Sequence, residues 1–115
     1  MLFIQACTVY QKAAGQQTVS MQPMTLVDGY LSMEYKYLEF KKMNGDIVYS
    51  NEFDSCLTDK GYVTIWDTGG PPSRPLAMFL HKKINVTFSV DSVFSPENEN
   101  SMIMGIVIKK LELIK

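Results

Sequence analysis

The segment from Ile84 to Phe94 alternates apolar and polar residues more strictly than any other part of the chain. The apolar residues that share one phase are Ile84, Val86, Phe88, Val90 and Phe94. A repeat of two residues is the period of a β-strand, in which successive side chains point to opposite faces. The segment therefore predicts a strand with one buried and one wet face, and such a strand needs an antiparallel neighbour of matching pattern.

The end of the chain supplies that neighbour. Residues 102–114 form a second apolar segment, and the charged loop 95–100 lets it return antiparallel to the first. Placing the apolar positions of the two segments opposite each other gives one register. Its pairs are Phe94 with Met102, Val90 with Ile106, and Phe88 with Ile108. Beyond these pairs the apolar phase moves by one residue, so we expect a β-bulge near Lys109 and Lys110.

An Asn-Gly pair at positions 44 and 45 is a strong hairpin signal. It predicts that residues 38–42 pair with residues 46–50. We expect residues 31–37 to continue the first of these strands, although the apolar phase changes between positions 37 and 38, which we interpret as a bulge or a corner. A helix over residues 31–38 is the alternative, because apolar residues there also recur at a spacing near 3.6.

Runs rich in β-branched and aromatic residues continue along most of the chain, and turn residues separate them. They predict about seven short strands in a single domain that spans residues 1–115. The bulges indicate long strands that bend around one core. We therefore expect an all-β fold, either an antiparallel β-sandwich or a small barrel of the jelly-roll type.

The composition limits the classes of partner. The chain has 11 Lys and Arg against 12 Asp and Glu, a formal net charge of −1, so it lacks the positive field that general nucleic-acid binding requires. No apolar run approaches the roughly 20 residues of a membrane-spanning helix, so we expect no membrane partner. We expect a cytoplasmic protein with two buried free thiols, Cys7 and Cys56, and a disulfide between them is the alternative.

The sequence carries no recognisable catalytic or metal-binding pattern. His81 is the only histidine and the two cysteines lack a metal-like spacing, so we predict no metal site and no cofactor. No nucleophile elbow, phosphate-binding loop or nucleotide fingerprint occurs. Catalytic groups that meet only in space leave no such pattern. We therefore expect a non-enzymatic protein, and a small hydrolase is a minor alternative.

Residues 62–75 have the most distinctive composition in the chain, because they contain its one tryptophan and three of its five prolines. If Val63 and Ile65 face the core, Tyr62 and Trp66 form an exposed aromatic shelf. Such a shelf stacks on sugars, bases or the apolar side chains of a partner. The alternative is that Trp66 plugs the end of the core.

The loop after Trp66 is a second candidate recognition element. Gly69 and Gly70 permit backbone conformations in which successive amides cradle an anion. The neighbouring prolines stiffen the loop, so binding there costs little ordering entropy. Arg74, the only arginine, suits a phosphate, a carboxylate or an aromatic ring. The sequence predicts a further strand over residues 76–80. We add His81, at the end of that strand, to this candidate site, and a purely structural crossover is the alternative.

These observations favour a binding module over an enzyme. We predict a protein that recognises a protein partner, or a small anionic or aromatic ligand, through the aromatic strand face and the stiff loop. A small viral inhibitor or a ligand-sequestering protein fits this description. The alternative is a self-assembling structural subunit of a virion or an appendage. Apolar residues occupy both faces of residues 102–108, so this strand is either central in its sheet or covered by another subunit, and the second interpretation predicts a homo-oligomer.

Overall fold

The computed structural model describes residues 18–67, 72–98 and 100–114, and all regular structure within them is β-strand. The strands are β1 (Val19–Leu31), β2 (Lys36–Lys42), β3 (Ile47–Ser50), β4 (Ser55–Thr58), β5 (Gly61–Thr64), β6 (Lys83–Phe94) and β7 (Met102–Leu113). None of these described segments forms a helix of the length and apolar character that crossing a membrane requires.

The seven strands belong to one strongly curled mixed sheet, a half-barrel with the order β3-β2-β1-β6-β7-β4-β5. Its pairings are antiparallel except for that of β4 with β7. The all-β class predicted from the sequence is confirmed. The antiparallel sandwich and the jelly roll are not confirmed, because the strands form a single sheet and one pairing is parallel.

The β6–β7 hairpin has the predicted register. The predicted pairs Phe94 with Met102, Val90 with Ile106, and Phe88 with Ile108 are all present. The register then shifts, since Thr87 lies opposite Lys110 rather than Lys109. Lys109 is therefore the extra residue of a β-bulge, and the predicted position of the bulge is confirmed.

The hairpin predicted from the Asn-Gly pair is also confirmed. Residues 38–41 of β2 pair with residues 47–50 of β3. In the turn, the Gly45 N–H donates a hydrogen bond to the Lys42 carbonyl at 2.9 Å. Gly45 has a φ of 95°, a conformation that glycine adopts without strain.

The prediction that residues 31–37 belong to the same strand as residues 38–42 is confirmed for residues 36 and 37 and is wrong for residues 31–35. β1 ends at Leu31, and β2 begins at Lys36. Ser32 forms the turn between them: its hydroxyl accepts a hydrogen bond from the Tyr35 N–H at 3.1 Å and donates one to the Tyr35 carbonyl at 2.9 Å. Pairing with β1 is continuous across positions 37 and 38, so the phase change there is neither a bulge nor a corner.

The core lies on the face of the sheet to which Ile84, Val86 and Phe88 point, as predicted. Its other buried members include Met24, Leu26, Leu38, Phe40, Ile106 and Leu111. The prediction fails for the second half of β6, because Val90 and Phe94 are exposed whereas Val93, in the opposite phase, is buried. A strongly twisted sheet does not present one face to the same neighbours along its whole length.

Gly105 of β7 is the point at which the edge strand β3 approaches a distant part of the sheet. β3 contacts β7 although three strands separate them in the sheet order. A Cβ atom at position 105 would lie 2.5 Å from the Tyr49 carbonyl oxygen, and closer still to Cγ2 of Val93. Only glycine leaves room for this approach, so the curl of the sheet depends on it.

Gly105→Ala should destabilise the protein. The added methyl group meets a backbone oxygen that has no freedom to rotate away, so we expect the free energy of unfolding to fall by about 1–3 kcal/mol. Urea denaturation followed by circular dichroism measures this change. In a Val93→Ala background part of the clash is already removed, and the same substitution should cost less. No loss of stability, or an equal loss in both backgrounds, would contradict this account of the curl.

Candidate functional site

Trp66 is a core residue and not part of an exposed shelf. It is 5% exposed, and its indole N–H donates a hydrogen bond to Asp54 Oδ1 at 3.0 Å. The same oxygen accepts a hydrogen bond from Lys36 Nζ at 2.8 Å. Burial acts to raise the pKa of Asp54, but the hydrogen bonds from Lys36 and Trp66 outweigh it and hold that pKa below its usual value. Trp66 thus plugs the end of the core, which was the alternative to the shelf.

The described residues show only part of what the sequence predicted around Trp66. Tyr62 lies on β5 and is 60% exposed, but with Trp66 buried the two rings do not form the shelf. Gly69 and Gly70 lie outside the described residues, so the anion cradle stays a prediction.

His81 lies in the turn before β6 and its side chain is exposed, so the prediction of a strand over residues 76–80 is wrong. It has a φ of 65°, in the left-handed region that histidine enters more readily than most residues. Its backbone N–H donates a hydrogen bond to the Leu26 carbonyl at 2.6 Å. The contacts that hold Arg74 within the described part of the chain do not include His81.

Arg74 does belong to an aromatic site, but its ring partner is Tyr30. The guanidinium carbon lies 4.9 Å from the centre of the Tyr30 ring, within the range of a cation–π interaction. Nη1 of Arg74 donates a hydrogen bond to the Gly29 carbonyl at 3.2 Å and lies 3.6 Å from Asp28 Oδ1. Arg74 therefore contacts a ring and faces a carboxylate at the same time.

Backbone hydrogen bonds hold the segment that carries Arg74. Ser73 and Leu31 exchange two of them, at 2.8 and 3.0 Å, so that the segment extends the edge of β1. The Asp67 N–H donates a third to the Arg74 carbonyl at 2.8 Å. The position of the arginine is thus set by the main chain on both sides.

Tyr30 is one of four half-buried tyrosines in mutual contact, which we call the tyrosine face. Its members are Tyr30, Tyr35, Tyr37 and Tyr49. The ring centres of Tyr37 lie 6.4 Å from Tyr30, 6.4 Å from Tyr35 and 6.1 Å from Tyr49. These separations fall in the range at which aromatic rings attract each other. Tyr37 is therefore the centre of one connected aromatic surface.

The alternation of β2 places the tyrosine face on the outside of the sheet. The core takes the residues at positions 38 and 40, so Tyr37 and Glu39 point to the opposite side. Across the neighbouring strands, Tyr37 pairs with Tyr30 of β1, and Glu39 pairs with Tyr49 of β3. Three adjacent strands thus contribute side chains to the same outer surface.

Two carboxylates lie directly opposite each other on this surface. Asp28 of β1 pairs with Glu39 of β2, and like charges in such positions repel. Burial first, and Asp28 second, raise the pKa of Glu39. Burial also raises the pKa of Tyr49, with further contributions from Glu39, Glu97 and Asp28. Within the described ranges, the only salt bridge on this surface joins Arg74 to Asp28, and Glu39 has no salt-bridge partner there.

Sequence reasoning singled out Arg74 but missed the tyrosines. The signal was present at positions 35 and 37, where tyrosines occupy the phase opposite to that of Leu38 and Phe40. A strand with apolar side chains on both faces and a strand with a bulge give the same pattern. We interpreted the pattern as a bulge, and the structure shows two covered faces.

The remaining chemical groups form no reactive cluster in the described part of the chain. Residues 18–67, 72–98 and 100–114 contain no group of three or more histidine, cysteine or acidic side chains that could hold a metal ion. Burial raises the pKa of the Cys56 thiol to about 11. Cys7 lies outside the described residues, so its pairing with Cys56 stays untested.

Comparison with family models, curated proteins and solved structures finds no match to this chain. The tyrosine face is therefore identified from its geometry and charge alone.

Glu39→Gln should stabilise the protein at neutral pH. Because the pKa of Glu39 is raised above 4.5 in the folded state, the ionised side chain is less favourable there than in the unfolded chain. Its contribution to stability therefore falls as the pH rises through and beyond 4.5. Removing the charge opposite Asp28 should raise the free energy of unfolding at pH 7 by about 0.2–1 kcal/mol.

Urea unfolding at a series of pH values checks this prediction. The gain should disappear as the pH falls below 4.5, where glutamic acid is protonated in both states. Glu52→Gln is the matched control, because Glu52 is exposed and is not among the carboxylates that act on Tyr49. A loss of stability in Glu39→Gln at pH 7 would show that the carboxylate is favourably paired.

Proposed function

We propose that this protein is a non-enzymatic interaction module that binds a protein partner through the tyrosine face. The observation that carries the proposal is the cluster of four half-buried tyrosines with Arg74 held against Tyr30. Tyrosine and arginine are enriched at protein interfaces and dominate their binding hot spots. The carboxylates of Asp28 and Glu39 disfavour a small anionic ligand at this surface, which leaves a protein partner as the better fit.

The tyrosine face is well prepared for binding because strands position it. Tyr30, Tyr37 and Tyr49 lie on three neighbouring paired strands, so little ordering entropy is lost on association. A cleft between Tyr35 and Phe94 continues the surface towards β6. An extended segment of a partner therefore has a path beyond the rings themselves. The surface is open to water, a setting that suits recognition better than catalysis.

A photo-crosslinking amino acid at position 35, at the rim of the tyrosine face, should capture the partner in cells of the organism that encodes the protein. The same group at position 62, the exposed tyrosine of β5, is the matched control. We expect one discrete adduct from position 35 and none from position 62. Arg74→Ala or Tyr49→Leu should reduce the adduct about tenfold, the effect of losing a hot-spot side chain.

Circular dichroism would establish that both variants remain folded, and Arg74→Ala alters an exposed side chain that the core does not need. Equal adducts from positions 35 and 62 would contradict the proposal. So would an adduct whose yield is unchanged in both folded variants.

A second candidate is the self-assembling structural subunit, and one observation favours it. The β6–β7 hairpin exposes four large apolar side chains, each between 49% and 67% exposed. They are Val90, Phe94, Met102 and Met104. Phe94 pairs directly with Met102, so the residues form a contiguous patch. Contiguous apolar patches on a surface commonly mark an interface, and a second copy of the chain would cover this one.

Native mass spectrometry distinguishes the two candidates. A structural subunit should appear as a dimer or a larger species, and Phe94→Ser combined with Met104→Ser should convert it to a monomer. Met43→Ser combined with Met78→Ser also removes two exposed apolar side chains, neither of which belongs to the β6–β7 hairpin, and should leave the assembly intact. A wild-type monomer at concentrations on the order of tens of micromolar would exclude the assembly and leave partner binding unaffected.

A further inference from the structure

Arg74 occupies one end of the tyrosine face and shows how a guanidinium group is held there. It lies over the Tyr30 ring, donates a hydrogen bond to the Gly29 carbonyl, and faces the Asp28 carboxylate at 3.6 Å. An aromatic ring together with a carboxylate is a combination that suits arginine, because the planar guanidinium stacks and carries a fixed charge. Arg74 thus shows, within the same chain, how the tyrosine face holds a guanidinium group.

The other end of the tyrosine face repeats this combination of rings and a carboxylate. Arg74 reaches it only through the Tyr37 side chain, with which it forms a hydrogen bond. Glu39 lies directly opposite Tyr49 of β3, and Tyr37 is two positions before it on the same side of β2. The rings of Tyr37 and Tyr49 meet edge to face, with centres 6.1 Å apart. Glu39 forms no salt bridge with any residue in the described ranges, although Lys41 is two positions further along the same side.

The charged side chains at this end determine whether a positive or a negative ligand group is favoured there. Glu39 and Asp28 lie opposite each other, and of these two carboxylates only Asp28 forms a salt bridge with Arg74. Burial and, after it, the carboxylates of Glu39, Glu97 and Asp28 raise the pKa of Tyr49, in keeping with a negative surface. A ligand that brings a positive charge would relieve the repulsion between Asp28 and Glu39.

We propose that the protein partner inserts an arginine side chain at this end of the tyrosine face, where its guanidinium packs against Tyr37 and Tyr49 and pairs with Glu39. The inference rests on the proposed function, because it names the chemistry of the partner at the same surface. Arginine suits the site better than lysine. A guanidinium stacks on rings and offers two parallel N–H donors to one carboxylate, whereas an ammonium is compact and strongly hydrated.

Three blocked hexapeptides serve as probes: hexa-arginine, hexalysine and the neutral hexacitrulline. Nuclear magnetic resonance of the full chain with ¹³C-labelled tyrosine rings reports which rings each peptide affects. The salt concentration is kept near 0.15 M, at which non-specific attraction between exposed charges is screened. We expect hexa-arginine to shift the Tyr37 and Tyr49 signals and to bind at least about threefold more tightly than hexalysine, with no binding of hexacitrulline.

The carboxylate is tested with a matched pair of variants. Glu39→Gln should weaken hexa-arginine binding by about threefold or more, whereas Glu52→Gln changes the net charge equally and should leave the affinity unchanged. Because Glu39→Gln is expected to stabilise the fold, unfolding would not account for lost binding. Equal affinity for the arginine and lysine peptides, equal loss in both variants, or shifts confined to Tyr62 would overturn the proposal.

The partner captured by crosslinking separates this inference from the proposed function. An adduct from position 35 whose crosslinked segment contains no arginine would overturn the inference and leave the binding function in place. An arginine in that segment, whose replacement by glutamine abolishes the adduct, would support both. No position-specific adduct at all would remove the proposed function and the inference with it.

Discussion

A single sheet can enclose a core only if it curls until one edge approaches a distant strand, and here that approach depends on Gly105. The carbonyl oxygen of Tyr49 on β3 fits over Gly105 of β7 because no Cβ atom lies between them. This contact joins strands that three others separate in the sheet. Core residues contributed by β1, β2 and β6 are thereby covered without a second sheet.

The same curl determines where the tyrosine face lies. The inner side of the curled sheet supplies the core, and the outer side carries the tyrosine face, whose rings pack against one another and against Arg74. Tyrosines suit such a surface, because the rings pack together while the hydroxyl groups stay in contact with water. Tyr49 takes part in both features, since its backbone closes the curl and its ring contacts Tyr37 on the outer side. The stability of the core and the shape of the candidate binding surface are therefore linked through β3.

The alternation of apolar and polar residues predicted the pairing of strands that are joined by a short loop. The register of β6 and β7 followed from matching apolar phases across a short loop, because a slip of one residue would have turned the whole apolar face to water. The surroundings of Trp66 were not predictable in this way. Its position depends on a hydrogen bond to Asp54, which also binds Lys36, and no periodicity within the segment around the tryptophan encodes that contact.

The candidate site likewise has one residue that the local sequence identified and others that it did not. Arg74 was identifiable because a single arginine in a stiff, proline-rich loop is unusual whatever the fold. Its ring partner was not, because Tyr30 reaches Arg74 only through the pairing of Leu31 with Ser73, which joins segments far apart in the chain. Tyr37 was missed for another reason. The change of apolar phase between positions 37 and 38 fits either a bulge or a strand that is covered on both faces.

Stability alone does not account for placing Asp28 opposite Glu39. Like charges in directly paired positions weaken a sheet, and burial makes the ionised form of Glu39 less favourable still. Arg74 offsets part of this cost, but it lies beside Asp28 and forms no salt bridge with Glu39. Groups that lower stability are tolerated where binding uses them. In the proposed mode of binding, the chain's own guanidinium occupies one end of the tyrosine face, and a guanidinium from the partner occupies the other.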